Sequence, residues 1–187
     1  MHQDRPAPPA SAATDVVAFW RAAGPDRWFA KDTAFDDRFR AHCLALHEAA
    51  ARGDLDAWRA APESALALVL LLDQFPRNCF RGTPRMFATD TEARRVAAAA
   101  IDAGHDRAVD PELRLFFYLP FEHSEDAADQ ERAVALISSF DEEQRRYAEL
   151  HRDIIRRFGR FPHRNAVLGR ATTPEEQRFL DEGGFAG

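Results

Sequence analysis

The sequence contains almost no lysine and very little cysteine. Lys31 is the only lysine among the 25 lysine and arginine residues, so nearly every strong cation is an arginine. Arginine carries a planar set of donors that matches carboxylates and phosphates. The two cysteines, Cys43 and Cys79, have apolar or helix-forming neighbours and no CxxC spacing. Their number and spacing exclude a cysteine-rich metal site and are typical of a reducing compartment.

Long hydrophobic runs are also missing. The longest run, ALALVLLL, has about eight residues, whereas a membrane-spanning helix needs about 20. Residues 1–13 are rich in proline and alanine and lack the apolar core of a signal peptide, which predicts a disordered leader before a single domain over 14–187. The net charge of −6 excludes a general nucleic-acid-binding surface. We therefore expect a cytoplasmic protein that binds neither nucleic acid nor membrane.

Two segments are apolar on most sides and predict buried helices. The first, residues 62–75, begins with Pro62 and is expected to end at Phe75, because a following proline disfavours helical geometry. The second, residues 110–125, begins with an Asp-Pro pair that suits a helix start. Pro120 is expected to kink or end this second helix.

Other segments show the spacing of amphipathic helices. One predicted stripe consists of Phe35, Phe39, Cys43 and Leu46, and another of Tyr147, Leu150, Ile154, Ile155 and Phe158. No stretch bounded by turns shows convincing β-strand alternation. The chain is therefore predicted to be all-α, with short connections joining antiparallel helix pairs.

One phrase occurs twice, as DQFPRN at 73–78 and GRFPHRN at 159–165. Each copy follows an apolar helix pattern and gives Phe-Pro followed by Arg-Asn, with Gly, Arg and Thr-Pro close behind. If the two helices are neighbours, both turns would face one cleft. That cleft would hold the side chains of Arg77, Arg81, Arg164 and Arg170, with Asp73 between them and Glu122 and His123 alongside. The excess of guanidinium groups over carboxylates would suit a bound phosphate or carboxylate.

Each part of this candidate site also has a purely structural interpretation. Asp73, predicted in the last turn of a buried helix, needs a cation or donors nearby, and it can form a satisfied polar group with Gln74, Arg77 and Asn78. Residues 122–125 emerge from a buried helix, where a shifted pKa would mark function, but they can simply meet water. The 159–173 segment is predicted to be a loop with a short helical turn, held by surface arginines and Asn165.

A metal centre is the weaker alternative. His123, His151 and His163 can meet Glu122 only in the folded chain, and no HExxH pattern occurs. His151 lies on the apolar stripe of its helix and is predicted to be a core histidine with one bonded nitrogen. A Gly-rich phosphate loop, a GxSxG motif and a supported Ser-His-Asp set are absent from the sequence. We therefore predict no metal and no cofactor.

Four segments resemble the bacterial family catalogued as domain of unknown function 924: FWRAAGPDRWFAKDTAFDDRF, LLLDQFPRNCFRGTPRMFATD, FFYLPFEHSED and RFGRFPHRNAVLGRATTPEEQRFL. The resemblance extends from about Asp15 to Phe185. It implies a right-handed, tetratricopeptide-like superhelix of antiparallel helix pairs, and it supplies no activity or substrate. The positions that match the family's motifs are Asp73, Gln74, Arg77, Asn78, Arg81, Glu122, His123, Ser124, His163, Arg164, Asn165 and Arg170.

These observations favour a binding domain whose arginine-rich pocket takes an anionic peptide or small molecule. The inference from fold to function rests on analogy. The alternative is a small-molecule enzyme in which His123 or His163 acts as acid or base beside Glu122 or Asp73. A third possibility is that the polar motifs only hold helix ends. The sequence does not indicate an oligomeric state.

Overall fold

The computed structural model describes residues 10–187, and this range is built of helices and contains no β-strand, which confirms the all-α prediction. The α-helices are α1 (Ala10–Ala23), α2 (Pro25–Trp28), α3 (Thr33–Ala51), α4 (Pro62–Val69), α5 (Phe75–Cys79), α6 (Asp90–Asp102), α7 (Leu119–Glu122), α8 (Ala127–Ile137), α9 (Glu142–Phe158) and α10 (Pro174–Asp181). Short 3₁₀ turns cover Asp56–Ala60, Pro84–Phe87, His105–Arg107, Arg114–Phe117 and Pro162–Arg164, and a π-helical turn covers Leu70–Gln74.

The chain divides into two compact units. Unit 1 comprises the described residues up to Arg81 together with Arg85–Pro120, and unit 2 comprises Gly82–Pro84 together with Phe121–Gly187. Of the expected leader, residues 1–9 lie outside the described residues, whereas residues 10–13 already belong to α1. Within the described range, no helix is long and apolar enough to cross a membrane.

The core of unit 1 is aromatic. Trp20 of α1 packs against Phe39 of α3 and against Phe116, with ring centroids 5.3 Å apart in both pairs. The predicted α3 stripe buries Phe35, Phe39 and Cys43 as expected, but the next buried position is His47 rather than Leu46. The buried positions of α3 therefore keep a spacing of four residues. His47 is tolerated at the last of them because its ring stacks on Phe75 and its Nδ1 bonds to a backbone oxygen.

The central helix is buried as predicted, but it does not end at Phe75. The chain continues from α4 through the π-helical turn Leu70–Gln74 directly into α5, so the expected end at Phe75 is wrong. The π-turn re-registers the backbone: the Phe75 N–H donates to Leu70 O, five residues back. Pro76 then falls in the first turn of α5, where a missing N–H is tolerated. Asp73 consequently lies inside a continuous helical segment and not in a last turn.

This arrangement frees backbone oxygens inside the core, and side chains from elsewhere bond to them. Leu71 O accepts from Nδ1 of His47 at 2.8 Å, and Leu72 O accepts from the Thr89 hydroxyl at 2.5 Å. In a regular α-helix, Leu72 O would face the nitrogen of Pro76, which carries no hydrogen. The π-turn is therefore tied to α3 through His47 and to the start of α6 through Thr89.

The second predicted buried helix also differs from the structure. Residues after Asp110 form a turn, then the 3₁₀ segment Arg114–Phe117, and only then the short helix α7. Pro120, which was expected to kink or end a helix, does not end one, since it lies in the first turn of α7, a position that proline tolerates. The apolar residues of this segment are nevertheless buried. The apolar composition therefore predicted burial correctly, although the predicted helical periodicity was wrong.

Unit 2 is organised around α8 and α9, which pack against each other across a short connection. The predicted stripe of α9 is partly wrong, because Tyr147 and Leu150 are 45% and 38% exposed. The buried face instead carries Ala148, His151, Ile154 and Ile155. Ile154 and Ile155 form a small core with Phe161, against which Phe158, Phe179 and Phe185 pack. His151 thus occupies the buried face as predicted, with Nδ1 bonded to Tyr147 O.

Replacing Thr89 by valine tests the role of its hydroxyl in stabilising the π-turn. The substitution keeps the shape of the side chain and removes the donor to Leu72 O. Leaving that buried oxygen without its donor should cost about 1–3 kcal/mol of unfolding free energy in urea titrations.

Thr91→Val is the matched control, since Thr91 is exposed on the same helix. It should change the unfolding free energy by no more than about 0.5 kcal/mol. Equal unfolding midpoints for both variants would show that the Thr89 hydroxyl does not stabilise the π-turn.

Candidate functional site

The first copy of the repeated phrase forms a buried ion network in unit 1. Asp73 is 0% exposed, and its carboxylate accepts from Gln74 at 2.7 Å and pairs with Arg77 at 3.0 Å. The guanidinium of Arg77 also forks onto Asp90, with distances of 2.9 and 3.1 Å. Burial lowers the pKa of Arg77, but the two carboxylates outweigh burial and hold it above its ordinary value. The cation that Asp73 was predicted to need is therefore Arg77.

The second half of this phrase fastens α5 to α3. Asn78 donates to the Asp36 carboxylate at 2.8 Å, and Arg81 donates to the same carboxylate at 3.2 Å. Sequence reasoning identified neither Asp36 nor Asp90 as a partner of this phrase; Asp90 lies in the first turn of α6, directly after the cap residue Thr89. No local pattern reveals these partners, because they lie far from the phrase in sequence.

In unit 2, Arg170 is engaged by the protein itself. Its two Nη atoms bind both oxygens of Glu125 at 2.7 and 2.9 Å, and one of them also donates to Phe161 O. Its Nε donates to the side-chain oxygen of Asn165 at 3.0 Å. Burial raises the pKa of Glu125, but the hydrogen bonds from Arg170 and from the Phe161 N–H outweigh this and lower it. Arg170 therefore locks the loop that carries the second copy of the phrase.

Asn165 extends this lock to α10. Its amide lies 3.3 Å from the Glu176 carboxylate, which also accepts from the N–H of Thr173 in a complete capping box. Arg160 binds the same carboxylate at 2.5 and 2.8 Å. Sequence reasoning missed the pairing of Glu176 with Arg160 and Asn165. Asn165 is thus a structural link between the loop and α10.

The ring of Phe161 contacts three further polar side chains of unit 2. The guanidinium carbon of Arg164 lies 4.5 Å from the Phe161 ring centroid, a cation–π distance. The rings of His151 and His163 lie 5.5 and 5.6 Å from the same ring. Arg164 also donates to His123 O at 2.9 Å. We call Glu122, His123, His151, His163 and Arg164 the histidine–arginine cluster.

His151 is neutral in this cluster. Its Nδ1 bonds Tyr147 O at 2.8 Å and lies 3.5 Å from the Glu122 carboxylate, so the carbonyl is the closer partner. Burial, together with nearby His123 and Arg164, lowers the pKa of His151 to about 3. A buried carboxylate therefore stands beside an imidazole that carries no charge at neutral pH.

His163 occupies a more unusual position. Burial lowers the pKa of His163 to about 4, with further lowering by Arg164 and a partial opposing effect of Glu125. Its Nδ1 is buried and finds no hydrogen-bond partner among residues 10–187. An imidazole nitrogen beside a guanidinium, without a protein partner, is the feature of this cluster most suited to a ligand.

The structure brings only part of the predicted site together. Asp73, Gln74, Arg77, Asn78 and Arg81 lie in unit 1, and Glu122, His123, His163, Arg164, Asn165 and Arg170 lie in unit 2. Convergence of the two turns on one cleft stays a prediction. The predicted excess of guanidinium groups is reduced, because Arg77, Arg81 and Arg170 have carboxylate partners in their own units. Across residues 10–187, no three His, Cys, Asp or Glu residues are arranged to hold a metal ion.

Asp73→Ala tests whether the network in unit 1 supports the fold. Removing one carboxylate leaves Arg77 only partly compensated in a buried site, so we expect a loss of about 3–5 kcal/mol of unfolding free energy. Asp153→Ala is the control, because Asp153 is 60% exposed in its pair with Arg152 and should contribute less than about 1 kcal/mol. An Asp73 variant as stable as the Asp153 variant would contradict the buried network.

His151→Gln tests the buried neutral imidazole. In the unfolded chain, His151 takes up a proton below pH 6.5, the ordinary pKa of histidine. In the folded chain, His151 stays neutral until the pH falls to about 3. Stability from this group is present above 6.5 and is lost as the pH falls towards 3. Between about pH 7 and pH 5 the wild type should lose roughly 2 kcal/mol that the variant retains, measured by urea unfolding.

Exposed His42 supplies the matched control, as His42→Gln also removes one imidazole. A His151 variant whose stability falls between these pH values as steeply as the wild type would show that His151 does not carry this pH dependence.

Comparison with known proteins places the chain in a family. The family described as "Bacterial protein of unknown function (DUF924)" matches residues 16–184. The solved structure of the protein of unknown function ATU0120 from Agrobacterium tumefaciens is similar, with a TM-score of 0.91, 57% sequence identity, and coverage of 93% of this chain and 99% of that chain. No curated protein matches the chain. The chain therefore belongs to the bacterial DUF924 family of proteins of unknown function.

Proposed function

We propose that the protein is a binding domain that takes a small anionic molecule or the anionic end of a peptide at the histidine–arginine cluster of unit 2. The observation that carries this proposal is the environment of His163. Its buried Nδ1 finds no partner among residues 10–187, and its ring contacts the Phe161 ring over which the guanidinium of Arg164 lies. Carboxylates and phosphates present several oxygens that can bind such donors together.

Arg164 of the cluster and Arg170 of the adjoining loop have different roles. Arg170 donates to Glu125, Asn165 and Phe161 O, so it fixes the loop and contributes positive charge. Arg164 lies over the Phe161 ring, where a weakly hydrated guanidinium is well accommodated. The ligand would therefore contact His163 and be recognised mainly through the positive charge of the neighbouring arginines.

Anion binding at this site would be coupled to proton uptake. Burial and the positive charge of Arg164 keep His163 neutral, with a pKa of about 4. An anion beside His163 counters that positive charge, so the pKa of His163 rises in the bound state. By linkage, the dissociation constant should decrease as the pH falls from neutral towards 5, because the bound state holds the extra proton.

The alternative is a small-molecule enzyme using the same cluster, and the contact between Glu122 and His151 favours it. A buried carboxylate beside an imidazole is a common arrangement for acid–base chemistry. The pKa of His151 argues against this use, because a value of about 3 is far from the near-neutral value that suits a general base. We therefore place binding ahead of catalysis.

The proposal includes the finer architecture expected from the family resemblance, a right-handed tetratricopeptide-like superhelix. Helices α8 and α9 support it, because they pack against each other across a connection of few residues, which gives an antiparallel hairpin. Folds built from such hairpins commonly bind ligands on one face, an argument by analogy that adds weight only to the site already described.

The proposed binding is tested by thermal unfolding in phosphate or succinate against chloride of equal ionic strength. With a dissociation constant of about 1 mM, roughly 10 mM ligand stabilises the folded state by about 1.4 kcal/mol, which raises Tm by about 3–5 °C. The rise should be larger at about pH 5.5 than at pH 7.5, because binding takes up a proton.

His163→Phe should abolish the rise, since it removes the imidazole and keeps an aromatic ring. Arg178→Gln removes an exposed arginine of α10 and should leave the rise unchanged. An anion effect that survives in the His163 variant, or none in the wild type, would count against the site.

A further inference from the structure

The last residues of the chain lie on the histidine–arginine cluster. The ring of Phe185 contacts the His151 ring at 4.5 Å and the His163 ring at 5.2 Å, both edge to face. Gly187 follows against the same imidazole, because a side-chain carbon placed on it would lie 3.1 Å from Cδ2 and 3.3 Å from Nε2 of His163. Residues 185–187, which we call the cover segment, thus shield both histidines.

Two glycines, Gly183 and Gly184, reverse the chain direction so that the cover segment reaches the cluster. After α10, Gly183 adopts a left-handed conformation with φ of 82°, and the N–H groups of Gly183 and Gly184 bond back to Leu180 O and Phe179 O. This pair of bonds is the Schellman arrangement that ends a helix and reverses the chain. A side chain at Gly184 would lie 2.5 Å from Phe179 O, so the reversal requires glycine there.

The cover segment lies against the imidazole at the proposed ligand position. The Nδ1 of His163 is buried and its Nε2 edge faces Gly187, so neither nitrogen can meet an added anion while the segment stays in place. Phe185 is held through its ring contacts, and Gly187 makes a further interaction. A short segment beyond the last helix can open locally without unfolding the helices.

We propose that Phe185 is a built-in occupant of the cluster, and that the cover segment must leave before an anion binds. The inference rests on the proposed function, which it extends with a regulatory step. Ligand affinity is then reduced by the fraction of molecules in which the cover is open. The burial that Phe185 provides also contributes to the low pKa of His151 and His163, so opening prepares both imidazoles to accept protons.

The test compares the full chain with a chain that stops after Gly184 and with Phe185→Ala. Phosphate affinity, measured by isothermal titration calorimetry, should increase by about tenfold or more in both variants, since an open fraction of about one tenth or less no longer limits binding. Phe158→Ala is the matched control, because Phe158 belongs to the same apolar cluster and its ring contacts Phe179 rather than an imidazole. This control should keep the affinity of the full chain.

A second measurement separates the cover from anion binding. Diethyl pyrocarbonate reacts with accessible neutral imidazoles, so modification of His151 and His163, followed by mass spectrometry, should be faster in both variants than in the full chain and in Phe158→Ala. Equal phosphate affinity in full and shortened chains would overturn the cover while leaving the proposed function intact. If no chain binds phosphate, the proposed function fails. Unchanged imidazole reactivity would then overturn the cover as well, whereas faster modification would support it.

Discussion

A proline in the most buried helix leaves backbone oxygens that only side chains can satisfy. The π-turn before Pro76 shifts the hydrogen-bond register, and His47 and Thr89 bond to the buried backbone oxygens of Leu71 and Leu72. Because these two residues come from α3 and from the start of α6, the same requirement positions both helices around the central one. Unpaired backbone groups in this core would cost more than the side-chain entropy lost in pairing them.

The polar residues of unit 1 follow from that register. Beside the π-turn, Asp73 lies in the helix interior, where its charge requires Arg77, and Arg77 in turn requires Asp90 to complete its fork. Burying these charges costs free energy, and leaving one of them without its partner costs more. The network therefore favours the one packing of these helices in which every charge is paired. Its donors are largely used within the unit, which makes a structural role the simplest account of the first repeated phrase.

Unit 2 uses the same phrase differently. Arg170 pairs with Glu125, and Asn165 bonds to Glu176, and these contacts hold the loop. His163 and Arg164 instead pack against the ring of Phe161. The apolar surroundings that keep His163 uncharged are shared between Phe161 and Phe185. In the proposed binding function, ligand entry, displacement of Phe185 and proton uptake would form one coupled equilibrium, because each would change the burial or the charge around the same imidazole.

The sequence by itself determined the all-helical class, the buried central helix and the buried position of His151, because these depend on neighbours within a turn or two. The resemblance identified the family. Local rules misplaced the helix end at Phe75 and the exposure of Tyr147, since π-register and packing partners override them. Only the tertiary structure decided the pairing of Arg77 with Asp90, of Asn78 with Asp36 and of Arg164 with His123, which join residues 13, 42 and 41 positions apart. Such pairs are selected by which surfaces meet in the folded chain, and no short-range spacing encodes that choice.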